Sequence, residues 1–146
     1  MNGHAADAGK RALGWGRALV AGLGGEASMM VIVGITMMAT GGNQATLNIV
    51  ALMAGFLLLL AWGHWAARAT PGRHVQQGAA AGLCAVLVYY AFRAAAATVI
   101  WAAAIDTNIS DRDFMTSLTP AFILANALKI AGGAFGGWLS GRKTGR

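Results

Sequence analysis

Four long apolar runs, separated by short polar breaks, dominate the chain. Ala18 to about Thr40 carries a single charge, Glu26, and ends at the turn signal Thr40-Gly41-Gly42-Asn43-Gln44. Leu47 to about Ala67 contains four successive leucines from Leu57 to Leu60 and closes on Trp62, His64 and Trp65. The stretch from Arg68 to His74 interrupts the pattern, with Pro71-Gly72 a strong stop. A third run spans Gly78 to about Ile105, a polar loop covers Asp106 to Ser117, and Leu118 to about Ser140 is the fourth run. Each has roughly 20 residues or more, enough for a helix to cross a hydrocarbon core of about 30 Å. No alternation of polar and apolar residues marks barrel strands. The pattern predicts an all-α fold: an integral membrane four-helix bundle with spans at about 18–40, 47–67, 78–105 and 118–140. A polar segment, 1–17, precedes it and a basic tail, 141–146, follows. The first span is expected to be retained, because no small-x-small site leads into a soluble domain.

Composition explains why a bilayer is needed. Residues of the AVILMFWYC set make up 57% of the 146 residues and charged residues 11%. Soluble proteins have roughly 45–50% apolar residues, glycine included, and about 25% charged. A soluble domain of this size has too little interior to hide that surface. The net charge of +6 raises nucleic acid as a partner. The basic residues lie mostly between and beyond the apolar runs and do not interleave with aromatics, so no nucleic-acid partner is expected. The lone cysteine, Cys84, sits in an apolar segment and reads as a small hydrophobe.

The short loops set the orientation. The N-terminal segment carries Lys10, Arg11 and Arg17 against Asp7, and the first loop is uncharged. The second loop carries Arg68 and Arg73 with His74, and the third carries Asp106, Asp111 and Asp113 against Arg112. The tail carries Arg142, Lys143 and Arg146. This alternation predicts both termini on the cytoplasmic side. Trp15, Trp62, Trp65 and Trp138 fall near the expected inner interface and Trp101 near the outer one. A sequon at Asn108-Ile109-Ser110 matters only in a eukaryotic secretory pathway.

Three ionisable residues lie inside the spans, where charge is costly and marks either a structural pair or a functional site. At about 1.5 Å per residue, Glu26 is roughly 13 Å and Lys129 roughly 17 Å from the inner face, with Arg93 roughly 24 Å from it. Asn126 lies one turn before Lys129 on the same helix face. Glu26, Arg93, Asn126 and Lys129 are thus expected to form a polar seam joining the first, third and fourth helices, with Asn48, Tyr89 and Tyr90 as further polar neighbours. The bland reading is a Glu26–Lys129 pair that fixes helix register while Arg93 snorkels outward. The alternative is a proton- or ion-linked site, which an ammonium holding the carboxylate in its charged form would disfavour.

Small residues supply the packing signal. Gly132/Gly136 and Gly133/Gly137 are two staggered GxxxG pairs at the end of the fourth run, a pattern that permits close helix approach. They serve packing within one bundle or, alternatively, self-association. Catalytic, cofactor and metal sites are not expected. His64 has no second ligand at metal spacing and reads as an interfacial anchor, while His4 and His74 read as loop residues. The three loop aspartates read as a solvated loop.

The segment Phe122 to Ile130, with Asn126 and Lys129, then the glycine run and Gly141-Arg142-Lys143, resembles the last helix of a group of small four-helix bacterial inner-membrane proteins of unassigned activity. Trp15-Gly16-Arg17, Glu26 in the first span and the basic second loop fit the same group. The resemblance implies fold and location and adds no chemistry. The small multidrug resistance exporters are a second comparison, with four helices and a glutamate in the first. This chain departs from them in length, in Lys129 and in its strong loop-charge bias.

The expected function is that of a structural or accessory subunit of a membrane complex in the bacterial cytoplasmic membrane, on the ground that 146 residues in four helices leave little room for a substrate cavity without oligomerisation. The alternative is a small oligomeric transporter or channel using Glu26, Lys129 and Arg93. Expected partners are the lipid bilayer and either a second copy or a larger complex. No enzyme is expected.

Overall fold

A computed structural model describes residues 13–70, 72–102 and 120–144. His4, Asp7, Lys10 and Arg11, the loop with Asp106, Asp111, Arg112 and Asp113, the sequon at 108–110, and Arg146 lie outside the described residues. So do the side chains of Trp101 and Lys143.

Four helices make up the described fold: α1 (Trp15–Thr40), α2 (Gln44–Ala67), α3 (His74–Ala102) and α4 (Pro120–Thr144). The described residues are all-helical apart from their turns, and all four helices contain a stretch long and apolar enough to cross a membrane, which supports a multi-pass membrane protein. Local chemistry sets the helix ends. Gly41 takes the left-handed conformation (φ 60°) that closes α1, and the Gly42 N–H returns to Met37 O at 3.1 Å. Asn43 then caps α2, its Oδ1 accepting from the Thr46 N–H at 3.1 Å. Pro120 opens α4, where its missing N–H goes unneeded.

Three helices run past their apolar spans at one end of the bundle. The first begins at Trp15, three positions ahead of the apolar run, because Gly14 is clamped. Its N–H donates to Gln77 Oε1 at 2.9 Å, and its carbonyl accepts from Gln77 Nε2 at 2.8 Å. At the head of α3, the Gln77 N–H bonds Arg73 O at 2.9 Å and sets the first turn at His74. His74 is therefore helical, a correction to its reading as a loop residue. Its Nδ1–H donates to Ala67 O at 2.8 Å, tying the start of α3 to the end of α2. The fourth helix continues to Thr144 through the basic residues, since nothing in Gly141-Arg142-Lys143 stops it.

Adjacent helices are antiparallel, so the start of α1, the end of α2, the start of α3 and the end of α4 share one end. Arg17, Arg68, Arg73 and Arg142 all lie there. The Arg17 guanidinium sits 4.6 Å from the Trp65 ring centroid and donates to Trp65 O at 3.5 Å. Arg68 donates to His64 Nε2 at 3.3 Å. Arginine keeps its protons, so this nitrogen accepts and Nδ1–H faces Gly136 O at 3.3 Å on α4.

Large and small residues divide between outside and inside. The buried apolar residues are chiefly alanines, with Leu59 and Cys84, while Leu19, Val31, Ile35, Met38, Ile49, Leu87 and Ile123 point outward. Lipid accepts such a surface without cost, and small interior residues let backbones touch. The four glycines of the α4 GxxxG pairs are consumed in this way. A Cβ on Gly132 or Gly136 would strike Phe56 O or Leu60 O of α2. On Gly133 or Gly137 it would strike Gly78 O or His74 O of α3. Gly132, Gly133, Gly136 and Gly137 are thus packed inside one chain, leaving no bare stripe for a second copy at these positions.

Burial is not uniform along the axis. Among the described residues, the buried positions of α1 stop at Glu26, those of α2 begin at Ala54, those of α3 end at Ala85 and those of α4 begin at Lys129. The arginine-bearing half is closed, and the other half is splayed.

Candidate functional site

The boundary between the two halves is marked by a buried charge pair. Lys129 Nζ lies 2.5 Å from Glu26 Oε1, and both residues are only 2% exposed. α1 and α4 lie diagonally across the bundle and have no direct backbone packing, whereas every other pair of described helices does. The lysine stem therefore crosses the bundle centre to reach the carboxylate. Gly55 on α2 lies alongside this stem, where an added Cβ would sit in ordinary contact, 3.5 Å from both Lys129 Cγ and Met29 Sδ. Gly25, beside Glu26, is set more tightly against Leu59, whose Cδ2 would be 2.9 Å from an added Cβ. Tyr89 of α3 lies over the ammonium, with its ring centroid 4.7 Å from Nζ. Cation–π attraction of this kind strengthens where water is excluded.

Above the pair the splay leaves a cavity of about 650 Å³. Glu26 and Lys129 lie at its floor, Arg93 and Asn126 on its wall, and Gln44 and Asn48 at the start of α2 toward the far end. Its apolar lining includes Met29, Met30, Leu52 and Phe92. Fifteen described residues from all four helices contribute, so no single helix defines it. This volume falls within the roughly 300–1,000 Å³ usual for small-molecule sites. A single chain thus has the room that helix count and length argued against.

The four expected seam residues all line this cavity, though they do not form one hydrogen-bonded chain. The Arg93 guanidinium lies over the rings of Tyr89 and Phe122, 5.7 and 5.5 Å from their centroids. Asn126 Nδ2 donates back to Phe122 O at 3.2 Å, one turn earlier in its own helix. Asn48 accepts from Gln44 Nε2 at 3.0 Å. Tyr89, rather than Tyr90, is the ring that meets the pair, and Tyr90 packs edge-on against Phe122 with centroids 5.8 Å apart. Aromatic rings therefore separate the arginine from the ion pair.

Sequence reasoning missed Gln77 and Gly55 as parts of this architecture. Gln77 reads as a span boundary and Gly55 as one glycine among many. Tyr89 gave a usable signal: it lies four residues before Arg93, one turn away on the same helix face. Among the described residues no three His, Cys, Asp or Glu side chains converge to hold a metal. Fold and site together define a small helical protein with four candidate membrane spans and an ion pair at its cavity floor. Comparison with family models, curated proteins and solved structures gives no match.

Proposed function

We propose that this chain is a multi-pass protein of the bacterial cytoplasmic membrane, with both termini in the cytoplasm, that binds a small amphipathic solute in the cavity above Glu26 and Lys129. The observation that carries the reading is the cavity itself, which reaches a buried ion pair within a single chain. Its lining offers both charge and apolar surface: Arg93, Asn48 and Asn126 for polar groups, and Met30, Leu52 and Phe92 for an apolar body. Orientation is supported by Arg17, Arg68, Arg73 and Arg142 sharing one end, the cytoplasmic one under the positive-inside rule. The cavity then faces the outer half of the bilayer, and the glycine-packed half closes the inner side. Such a shape fits one state of a small transporter using Glu26, Lys129 and Arg93.

A thermal-shift panel of amino acids, organic acids and organic amines on the detergent-solubilised protein tests this. A stabilising ligand that loses its effect in Ala125→Phe, which fills the cavity and spares the ion pair, supports solute binding. Equal stabilisation of wild type and variant contradicts it.

An accessory-subunit role is the second reading. It draws support from the outward half of α1, where Val31, Ile35 and Met38 stay exposed as they would where another chain completes the packing. Stability that depends on a co-expressed membrane partner, with no ligand response, would favour it.

A further inference from the structure

The arginine-bearing end holds a second concavity, separate from the central cavity. A groove of about 410 Å³ lies between the first turn of α3 and the last turns of α4, with Arg73, His74, Gln76, Trp138 and Arg142 among its walls. Arg142 is held against the groove wall, its guanidinium 3.9 Å from the Trp138 ring centroid. The wall is closely set because Gly141 lies against His74, where an added Cβ would come within 3.1 Å of Cδ2.

Charge at this end is one-sided. Glu26 is the single carboxylate among the described residues, and it is engaged deep in the bundle by Lys129. Arg17 and Arg68 are turned to Trp65 and His64, away from the groove lining. Arg73 and Arg142 border the groove, Arg142 against Trp138. A guanidinium offers a planar fork of N–H donors that matches phosphate oxygens two at a time. Trp138 is the kind of residue that sits at headgroup level. The exposed side chain of Val75 adds an apolar strip beside the two cations.

We infer that this groove binds the phosphate of an anionic phospholipid, with Arg73 and Arg142 as its ligands and Trp138 and Val75 lining the start of the acyl region. Basic pockets between membrane helices on the cytoplasmic side suit such headgroups. The inference rests on the proposed membrane setting and is independent of what the central cavity holds.

Native mass spectrometry of the full chain, released from nanodiscs of phosphatidylglycerol and phosphatidylcholine in equal parts, tests it. Wild type is expected to retain phosphatidylglycerol at least five-fold over phosphatidylcholine. Arg73→Gln/Arg142→Gln is expected to lose that preference, while Arg17→Gln/Arg68→Gln keeps it. Inorganic phosphate at millimolar concentration is expected to leave retention unchanged; displacement by it would point to a site for free phosphate and overturn the lipid assignment. Equal loss in both double variants, or no preference in wild type, would also overturn it. Failure of the chain to enter nanodiscs of any composition would count against the membrane setting itself.

Discussion

Glu26 on α1 and Lys129 on α4 meet at 2.5 Å across the bundle diagonal, joining two helices that otherwise do not pack together. Removing one partner leaves the other charge buried and uncompensated. Glu26→Gln and Lys129→Met are each expected to cost about 3–5 kcal/mol of stability. The double variant is expected to recover most of that loss, because a neutral pair of similar volume replaces the ions. Unfolding midpoints of the purified protein in detergent would show it. A double variant as unstable as the sum of the singles would mean that the pair itself is indispensable to the fold.

Glycine positions separate by what lies against them. Gly136→Ala forces a Cβ onto the Leu60 carbonyl and is expected to loosen the α2–α4 contact, lowering the thermal midpoint by several degrees. Gly34 has open space around it. Gly34→Ala is expected to be neutral or stabilising by about 0.5–1 kcal/mol, since alanine loses less backbone freedom in a helix. Equal effects at both positions would contradict the packing described for α4.

Gln77 is fully buried and satisfies both backbone groups of Gly14. Gln77→Leu leaves the Gly14 N–H unpaired at the head of α1, at a cost of about 1–3 kcal/mol, while the Gly14 carbonyl keeps its bond from the Ala18 N–H at 3.0 Å. Hydrogen exchange at Gly14 and through the first turn of α1 is expected to quicken, with α4 unchanged. Unaltered exchange there would show that the clamp does not hold the helix start.

The parts of this architecture legible in the sequence are those governed by a fixed ruler. Span length follows from helical rise against membrane thickness. The same arithmetic put Glu26 and Lys129 at nearly one depth. The rise says nothing, however, about azimuth or splay. Hence the cavity was invisible in the sequence, and Arg93 was placed by depth without its facing rings, Tyr89 and Phe122. Gln77 escaped notice because its role depends on Gly14, sixty-three residues away, coming alongside. The helix starts at Trp15 and His74 lie ahead of the apolar spans for a related reason: hydropathy measures the hydrocarbon crossing, whereas the helix continues until a cap or turn ends it.

The proposed orientation predicts a labelling pattern in a Cys84→Ser background. A cysteine at Ala45, near the start of α2, is expected to react with a membrane-impermeant maleimide in intact cells. A cysteine at Ala69, in the loop bearing Arg68, is expected to react only after permeabilisation. The reverse pattern would invert the topology and place the cavity on the cytoplasmic side.

In the proposed reading, the splayed half of this bundle holds a solute-accessible space ending at Glu26 and Lys129. Rates of modification by a small charged methanethiosulfonate test it most directly, measured on membranes carrying Ala125→Cys or Ala81→Cys in the Cys84→Ser background. Ala125 lines the cavity and Ala81 is fully buried in the closed half. The cysteine at 125 is expected to react at least ten-fold faster than that at 81, and to slow when a bound solute occupies the cavity. Equal rates at the two positions would contradict the account.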